Sequence, residues 1–496
     1  MTVAVGSLTI GTGVIGTQYS ITGLAFRPAF IRLRWAGPSS FDAGPSRSDL
    51  GAGIGFAMEN GKRGCISYYL QDNWDPYTTS SALFNTAAVV STVGGTIGRA
   101  DWSSMNDDGA TFVIDAAFGT AVAVFYEAYS GAEFNVLEIT EPDATGIVAY
   151  TGAGFRPTYA EILGTGKTAF DTSGNDADWC FGAATGSAAA NNAVLARYEK
   201  HAAGYADTSV YCRRTECLAI ISEAAVLCRA SLSSFDSDGL SLNWLERNST
   251  RKFLVIVASG RWQVENVSMP TNTTPFTETG MTWTPEGFML VSAATIESTQ
   301  DVVSTASPME SIGSGTGPAS RRVCYTRGNA DGGTGNSQSS YCNKTDEIYI
   351  NTTNPEAPVV SALGDINSAF TPDTIELVMD DAESSATFAW YSAFGPAIIA
   401  FRARLVRYQH NTYQSREAGR TIIRDVLGRT LPNHDVKPDN FLFAGGPAFI
   451  TPRKFSSLIV NPDTYYLESV EATEGAIKSE TNRESLIQSL FRRMGA

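Results

Sequence analysis

The sequence predicts an all-β protein: three tandem antiparallel β-sandwich or jelly-roll-like domains, followed by a mixed, partly helical C-terminal arm. Three observations carry this reading. A short motif returns at a near-constant interval. The stretches between its returns are short apolar runs bounded by turn residues. The last hundred residues differ from the rest in charge and in pattern.

The motif opens as Ile21-Thr22-Gly23-Leu24-Ala25-Phe26-Arg27-Pro28, then as Tyr150-Thr151-Gly152-Ala153-Gly154-Phe155-Arg156-Pro157. A worn third copy reads Glu278-Thr279-Gly280-Met281-Thr282-Trp283-Thr284-Pro285. Its aromatic stands at 26, 155 and 283, giving intervals of 129 and 128 residues. Such a period is a whole domain, far longer than the 20–50 residues typical of a solenoid unit.

Each copy continues alike. An apolar strand follows the motif: Phe30 to Trp35, Tyr159 to Leu163, Phe288 to Val291. A Gly-containing segment comes next at Gly53 to Ala57, Trp179 to Ala183 and Ser311 to Ser314. Then come Cys65 to Tyr69, Val194 to Tyr198 and Arg322 to Tyr325. Late in each copy a turn precedes a strand, at Asp107-Asp108-Gly109, Ser237-Asp238-Gly239 and Thr371-Pro372-Asp373. Asp-Gly before an apolar run is a hairpin signal, since Gly takes φ > 0 at no steric cost. Leu240, Leu242 and Trp244 alternate with Ser241 and Asn243, the period of a half-buried strand. About 125 residues of many short strands suit a two-sheet sandwich. The expected division is an N-terminal segment 1–17, repeats at 18–146, 147–275 and 276–400, and an arm at 401–496.

Composition narrows the function classes. The chain has 496 residues with 46 Gly and 18% charged residues, suiting a turn-rich β protein. Mean hydropathy is −0.08, and no apolar run reaches the length of a membrane span. The N-terminus has neither a basic n-region nor an apolar h-region, which argues against a secretory signal. Seven cysteines without a Cys-x-x-Cys pair read as buried free thiols of a protein made in a reducing cytoplasm. Residues 401–496 hold 14 Lys+Arg against 10 Asp+Glu, a net of +4; the other 400 residues hold 22 against 41, a net of −19. An acidic body repels nucleic acid.

The arm reads as two amphipathic helices around an extended stretch. Ser415 caps a first helix carrying Ile422, Ile423, Val426 and Leu427, stopped by Gly428. Thr481-Asn482-Arg483-Glu484 fits a capping box for a second, with Leu486, Ile487, Leu490, Phe491 and Met494 on one face. Between them Phe441, Phe443, Phe449, Phe455, Tyr465 and Tyr466 need a surface to bury against. That surface is either the chain's own third repeat or a neighbouring subunit. These aromatics and Leu486, Ile487, Leu490 and Phe491 are the interface candidates.

No catalytic constellation emerges, and no cofactor or metal site. Gly164-Thr165-Gly166-Lys167-Thr168 resembles the end of a phosphate loop, but Glu161 stands where the first Gly belongs and residues 169–174 read as loop. His201, His410 and His434 lie far apart, outside any ligand motif. There is no Gly-x-Ser-x-Gly elbow. Asp236-Ser237-Asp238-Gly239 lacks the further oxygens of a calcium loop and reads as a turn. Trp74 and Tyr77 are the candidates for stacking on sugar rings, though aromatic loops also build protein interfaces.

The Gly-x-Gly-Phe-x-Pro opening with a late Ser-Asp-Gly-x-x-Leu-x-Trp resembles a repeat of tailed-bacteriophage structural proteins. It is fullest at Gly152, Gly154, Phe155, Pro157, Asp238, Gly239, Leu242 and Trp244, and spans about 380 residues. The resemblance implies a non-enzymatic virion component, a head decoration or a tail or baseplate part, made in the host bacterial cytoplasm. Its partners would be other virion proteins and copies of itself, with neither nucleic acid nor membrane. The rival expectations are a tandem glycan-binding module for host surface sugars and a glycan-cleaving tail enzyme.

Overall fold

The computed structural model describes residues 2–395 except the segments 39–40, 48, 73–77, 94–95, 202–207, 282, 294–302, 305–308, 330–337, 353–359, 372–373 and 382–386. Beyond 399 it describes the backbone of Ala400–Tyr408, Ile423–Arg424, Thr430–Leu431, Pro438–Ala444, Leu458–Val460 and Asp463–Ala472. The chain is all-β, and its described residues divide into two compact units, Met1–Pro396 and Ala397–Ala496.

The first unit contains the three repeats, and their topologies agree strand for strand. In repeat 1 a large antiparallel sheet runs in the order Thr2–Ile10, Val122–Ser130, Phe30–Pro38, Leu50–Met58, Arg63–Leu70, Thr79–Phe84. A four-stranded sheet of Gln18–Ile21, Gly109–Ala116, Thr96–Asn106 and Val89–Val93 packs on it. Repeat 2 repeats this order from Phe134–Thr140 to Thr208–Arg213, and repeat 3 from Trp262–Met269 to Gln338–Lys344. Each sandwich has its own apolar core between the two sheets. The first strand of each large sheet precedes the motif. The units therefore begin at Thr2, Phe134 and Trp262, and residues 2–10 belong to repeat 1 instead of forming a separate leading segment.

Each large sheet takes its seventh strand from another repeat. Thr172–Asn175 of repeat 2 pairs with Thr79–Phe84 of repeat 1. Val303–Ser304 of repeat 3 pairs with Thr208–Arg213 of repeat 2, and Ser46–Arg47 of repeat 1 pairs with Gln338–Lys344 of repeat 3. The lending runs one way round and closes on itself. It covers one edge of every large sheet, where unpaired N–H and C=O groups would otherwise invite foreign strands. Residues 169–174 were expected as loop. Thr172 to Gly174 are instead extended, because the neighbour's edge dictates their backbone while their own polar sequence carries no strand pattern.

Two Asp residues hold the lent segments. Asp42 and Asp171 each stand 16 residues after their opening aromatic, and both have left-handed backbones, with φ of 60° and 56°. Asp42 accepts from the Thr345 N–H at 2.6 Å and its hydroxyl at 2.5 Å; Asp171 accepts from the Thr86 hydroxyl at 2.7 Å. Asp tolerates this backbone region better than most residues, and its short carboxylate then reaches across the boundary.

The opening motif and the late turn touch, so both recur together. Asp238 accepts from the Gly154 N–H at 2.6 Å and the Gly152 N–H at 3.2 Å, while Asp108 accepts from the Gly23 N–H at 3.3 Å. Gly23, Gly152 and Gly280 all have positive φ. The Gly after the turn Asp has a different reason. A Cβ on Gly109 would sit 1.9 Å from the Ile21 carbonyl oxygen, so close approach, not φ > 0, demands Gly there.

The second unit holds a four-stranded antiparallel sheet ordered Pro438–Ala444, Ala400–Tyr408, Asp463–Ala472, Leu458–Val460. Ile423–Arg424, placed on the first expected helix, instead pair with Thr430–Leu431. The β-branched run Thr421-Ile422-Ile423 favours extension, and Gly428 lies in the connection. The rest of that helix and all of the second lie outside the described residues. Among the described residues no helix is long and apolar enough to cross a membrane.

Candidate functional site

The inner faces of the three large sheets meet in a fourth core that no single repeat owns. Its strands are buried on both faces, as at Leu50–Met58 and Ala177–Ala184. Aromatics from all three repeats interlock there. Tyr159 stacks on Trp262 at 4.2 Å, Phe30 on Phe134 at 4.7 Å, and Tyr129 meets Phe394 edge-on at 5.0 Å. Volume is traded between equivalent strand pairs: Phe30 faces Tyr129, Tyr159 faces Ala258, and Gly287 faces Phe394. The Phe394 ring fills the space that a Cβ on Gly287 would need.

Beside the aromatics lies a buried charge network joining repeats 1 and 2. Arg32 ion-pairs with Glu127 and Glu161, all three side chains at most 1% exposed. Its Nε donates to Glu161 at 3.0 Å and its Nη1 to the Tyr129 hydroxyl at 2.7 Å. Tyr159 donates to Glu161 at 2.9 Å, and Arg34 reaches Glu127 at 2.6 Å. Burial disfavours charge on the Glu127 carboxyl, but Arg32 and Arg34 outweigh it and hold its pKa below the usual range. Two guanidiniums thus balance two carboxylates, and the network is structural.

A second cluster joins all three repeats. Tyr68 of repeat 1 donates to Glu310 of repeat 3 at 2.9 Å and stacks on Trp179 of repeat 2 at 5.4 Å. Arg197 lies over the Tyr68 ring at 5.6 Å. The adjoining cavity, lined by Arg34, Trp35, Tyr68, Trp179, Glu310 and Thr326 among others, encloses about 20 Å³, room for a water and not for a substrate. Burial pushes the Glu310 carboxyl up to about 7, against the pull of Arg197, Tyr68 and Thr326. The folded chain then binds this proton more tightly than the unfolded chain. Stability falls as pH rises from the ordinary Glu range toward about 7, by on the order of 3 kcal/mol. Glu310→Gln should flatten that slope and leave the variant more stable than the parent at pH 8. Urea unfolding over pH 5–8 checks it.

A third cluster lies in the small sheet of repeat 3. Oxygens of Glu347, Asp365 and Asp380 lie within 4.8 Å of one another. They come from segments far apart in sequence, so no spacing motif announces them.

The remaining sequence candidates separate clearly. Lys167 turns to the Asn175 carbonyl at 3.4 Å and to Asp178 at 3.6 Å, and no helix follows it, so the loop at 164–168 is no phosphate cradle. All seven cysteines are free and buried; burial pushes Cys342 up to about 11 and leaves it a poor nucleophile at neutral pH. The backbone nitrogen of His201 donates to Asp176 at 2.7 Å, and its ring Nδ1 lies 2.9 Å from the Thr79 carbonyl oxygen and 3.2 Å from the Thr79 nitrogen. Phe441 and Phe443 lie on the strand Pro438–Ala444, where their i, i+2 spacing puts them on one face, and Tyr465 and Tyr466 lie on Asp463–Ala472. Phe449, Phe455, Leu486, Ile487, Leu490 and Phe491 lie outside the described residues, as do Trp74 and Tyr77. The chain matches no protein-family model, and the searches of curated proteins and of solved structures give no match.

Proposed function

We propose that the chain is a non-enzymatic structural component of a tailed-bacteriophage virion, a head decoration or a tail or baseplate part. The one-way lending of edge strands is the observation that most supports it. Three like sandwiches locked into a closed ring have a fixed geometry suited to contacts with a repeating lattice. Other features agree. The buried charges of the Arg32 network are spent on one another, and all seven thiols are free, as in a protein made in a host cytoplasm. The C-terminal unit, with its aromatic strands and net basic charge, is the part that grips other virion proteins or further copies of the chain.

Deleting residues 401–496 separates these roles. The body should stay soluble and folded, by circular dichroism and by a cooperative melt. Its recovery in purified particles, scored by immunoblot, should fall at least tenfold. Incorporation at the level of the full chain would refute the gripping role.

A further inference from the structure

We infer that repeat 3 carries a calcium-class divalent cation site formed by Glu347, Asp365 and Asp380. Three oxygens within 4.8 Å of one another are near enough to share one central ion, and drawing them to about 4.2 Å apart sets each about 2.4 Å from it, the distance at which Ca²⁺ takes carboxylate ligands. Mg²⁺, at about 2.1 Å, would need them drawn closer.

Glu347 points to a missing partner. It is 8% exposed, and its Oε2 is buried without an N–H or O–H donor; the Asp365 carboxyl beside it can bond to it only by sharing a proton. Leaving a buried carboxylate oxygen unpaired is costly. Repeat 2 shows how the same position is satisfied without an ion. The amides of Cys217 and Ile348 bond to the carbonyls of Ala230 and Gly364, which makes Glu216 the counterpart of Glu347. Glu216 has partners: Tyr211 donates to it at 2.7 Å and Arg229 at 3.1 Å.

In repeat 3 the same register puts Leu363 in the place of Arg229. It also puts Asp365 where repeat 2 has Ser231. Both small sheets then make a bulge at the next strand. In repeat 2 the register skips Leu245 between Trp244 and Glu246; in repeat 3 it skips Asp380 between Met379 and Asp381. Bulges re-aim side chains. At the bulge repeat 3 therefore carries a carboxylate in place of an apolar residue. One cation remains near, Arg321, whose Nε lies 3.1 Å from Asp365 and also donates to the Asp346 carbonyl at 2.6 Å. With the Asp346 carboxylate also close enough to act on Glu347 and Asp365, one guanidinium leaves at least two negative charges for a divalent ion to offset.

The test uses the full chain, stripped with EDTA and titrated with CaCl₂ by calorimetry and by thermal melt. The expected result is one saturable site, a melting temperature that rises with Ca²⁺ and falls again with EGTA, and much weaker binding of Mg²⁺. Asp380→Asn, at an exposed position that folding should tolerate, should weaken Ca²⁺ binding at least about tenfold. Leu363→Arg returns the Arg229 half of the repeat 2 arrangement, Cys342 standing where repeat 2 has Tyr211; it should abolish binding while the metal-free protein melts no lower than the parent. Lack of saturable binding up to about 5 mM Ca²⁺, beyond even weak extracellular calcium modules, would overturn the site. So would binding of undiminished affinity in both variants, because the ion would then sit elsewhere.

Discussion

Gly182→Ala should cost more than about 3 kcal/mol and leave little folded protein at 37 °C, because a single methyl group has nowhere to go. A Cβ at Gly182 would lie 2.0 Å from the Cys217 carbonyl oxygen and 3.0 Å from that of Ala193. Both obstacles are backbone, which cannot rotate aside. The same collision waits at the equivalent positions: Gly55 against the Ala88 carbonyl at 1.9 Å, and Gly313 against that of Ile348 at 1.8 Å. At all three, the chain entering an edge strand of the small sheet, Val89–Val93 in repeat 1, comes down on the large sheet. Gly154→Ala is the matched control. Gly154 has φ of +83° and open space around its missing Cβ, so alanine there meets only backbone strain, about 1–2 kcal/mol. Urea denaturation of both variants checks the contrast. Equal losses would mean that the packing of the two sheets yields easily.

Arg32→Met should be the most damaging change at the three-sheet junction, costing about 3–5 kcal/mol, since it strands buried carboxylates whose desolvation is already spent. Glu127 would keep Arg34, but Glu161 would lose the cation it holds through both Nε and Nη2. The protein supplies its own repair: six residues after the opening aromatic, repeat 1 has Arg32, repeat 2 Glu161 and repeat 3 Met289. Arg32→Met with Glu161→Met should recover most of the loss, since apolar replacement of a whole buried pair is often neutral or stabilising. Denaturation of both single variants and the double variant forms a cycle. A double variant as weak as the sum of its parts would show that the two residues act separately.

What the sequence disclosed follows from what each signal depends on. The opening glycines and the late Asp-Gly turn were legible because they contact each other within one repeat, as Asp238 contacts Gly152 and Gly154. The Gly-containing strands were legible at Gly55 and Gly182 and weakest at Gly313, although the steric demand is the same at all three. The lent strands could not be read. Ser46–Arg47 and Thr172–Asn175 are short and polar, and their conformation is set by an edge belonging to another repeat. The shared core left a fainter trace. A half-buried strand alternates, as Gly146–Thr151 does, whereas Ala177–Ala184 is buried at every position. Continuous apolar runs of that kind mark a sheet covered on both faces. Charged residues such as Arg32 and Glu161 within those strands obscured the mark. The carboxylate cluster of repeat 3 was hidden for a different reason: it is assembled by strand pairing and a bulge, not by spacing along the chain.

The ring of lent strands also sets a clock on the ribosome. Residues 46 and 47 leave the exit tunnel early, yet their acceptor strand begins only at Gln338, about 290 residues later. At bacterial-to-eukaryotic synthesis rates that is roughly 15–60 s during which the first sandwich cannot yet give, although it can borrow once residues 172–175 are out. The final hand-off must therefore happen after nearly all of the body has been made, and a nascent chain stalled before that point would expose an unclaimed donor to every sibling on the same messenger RNA.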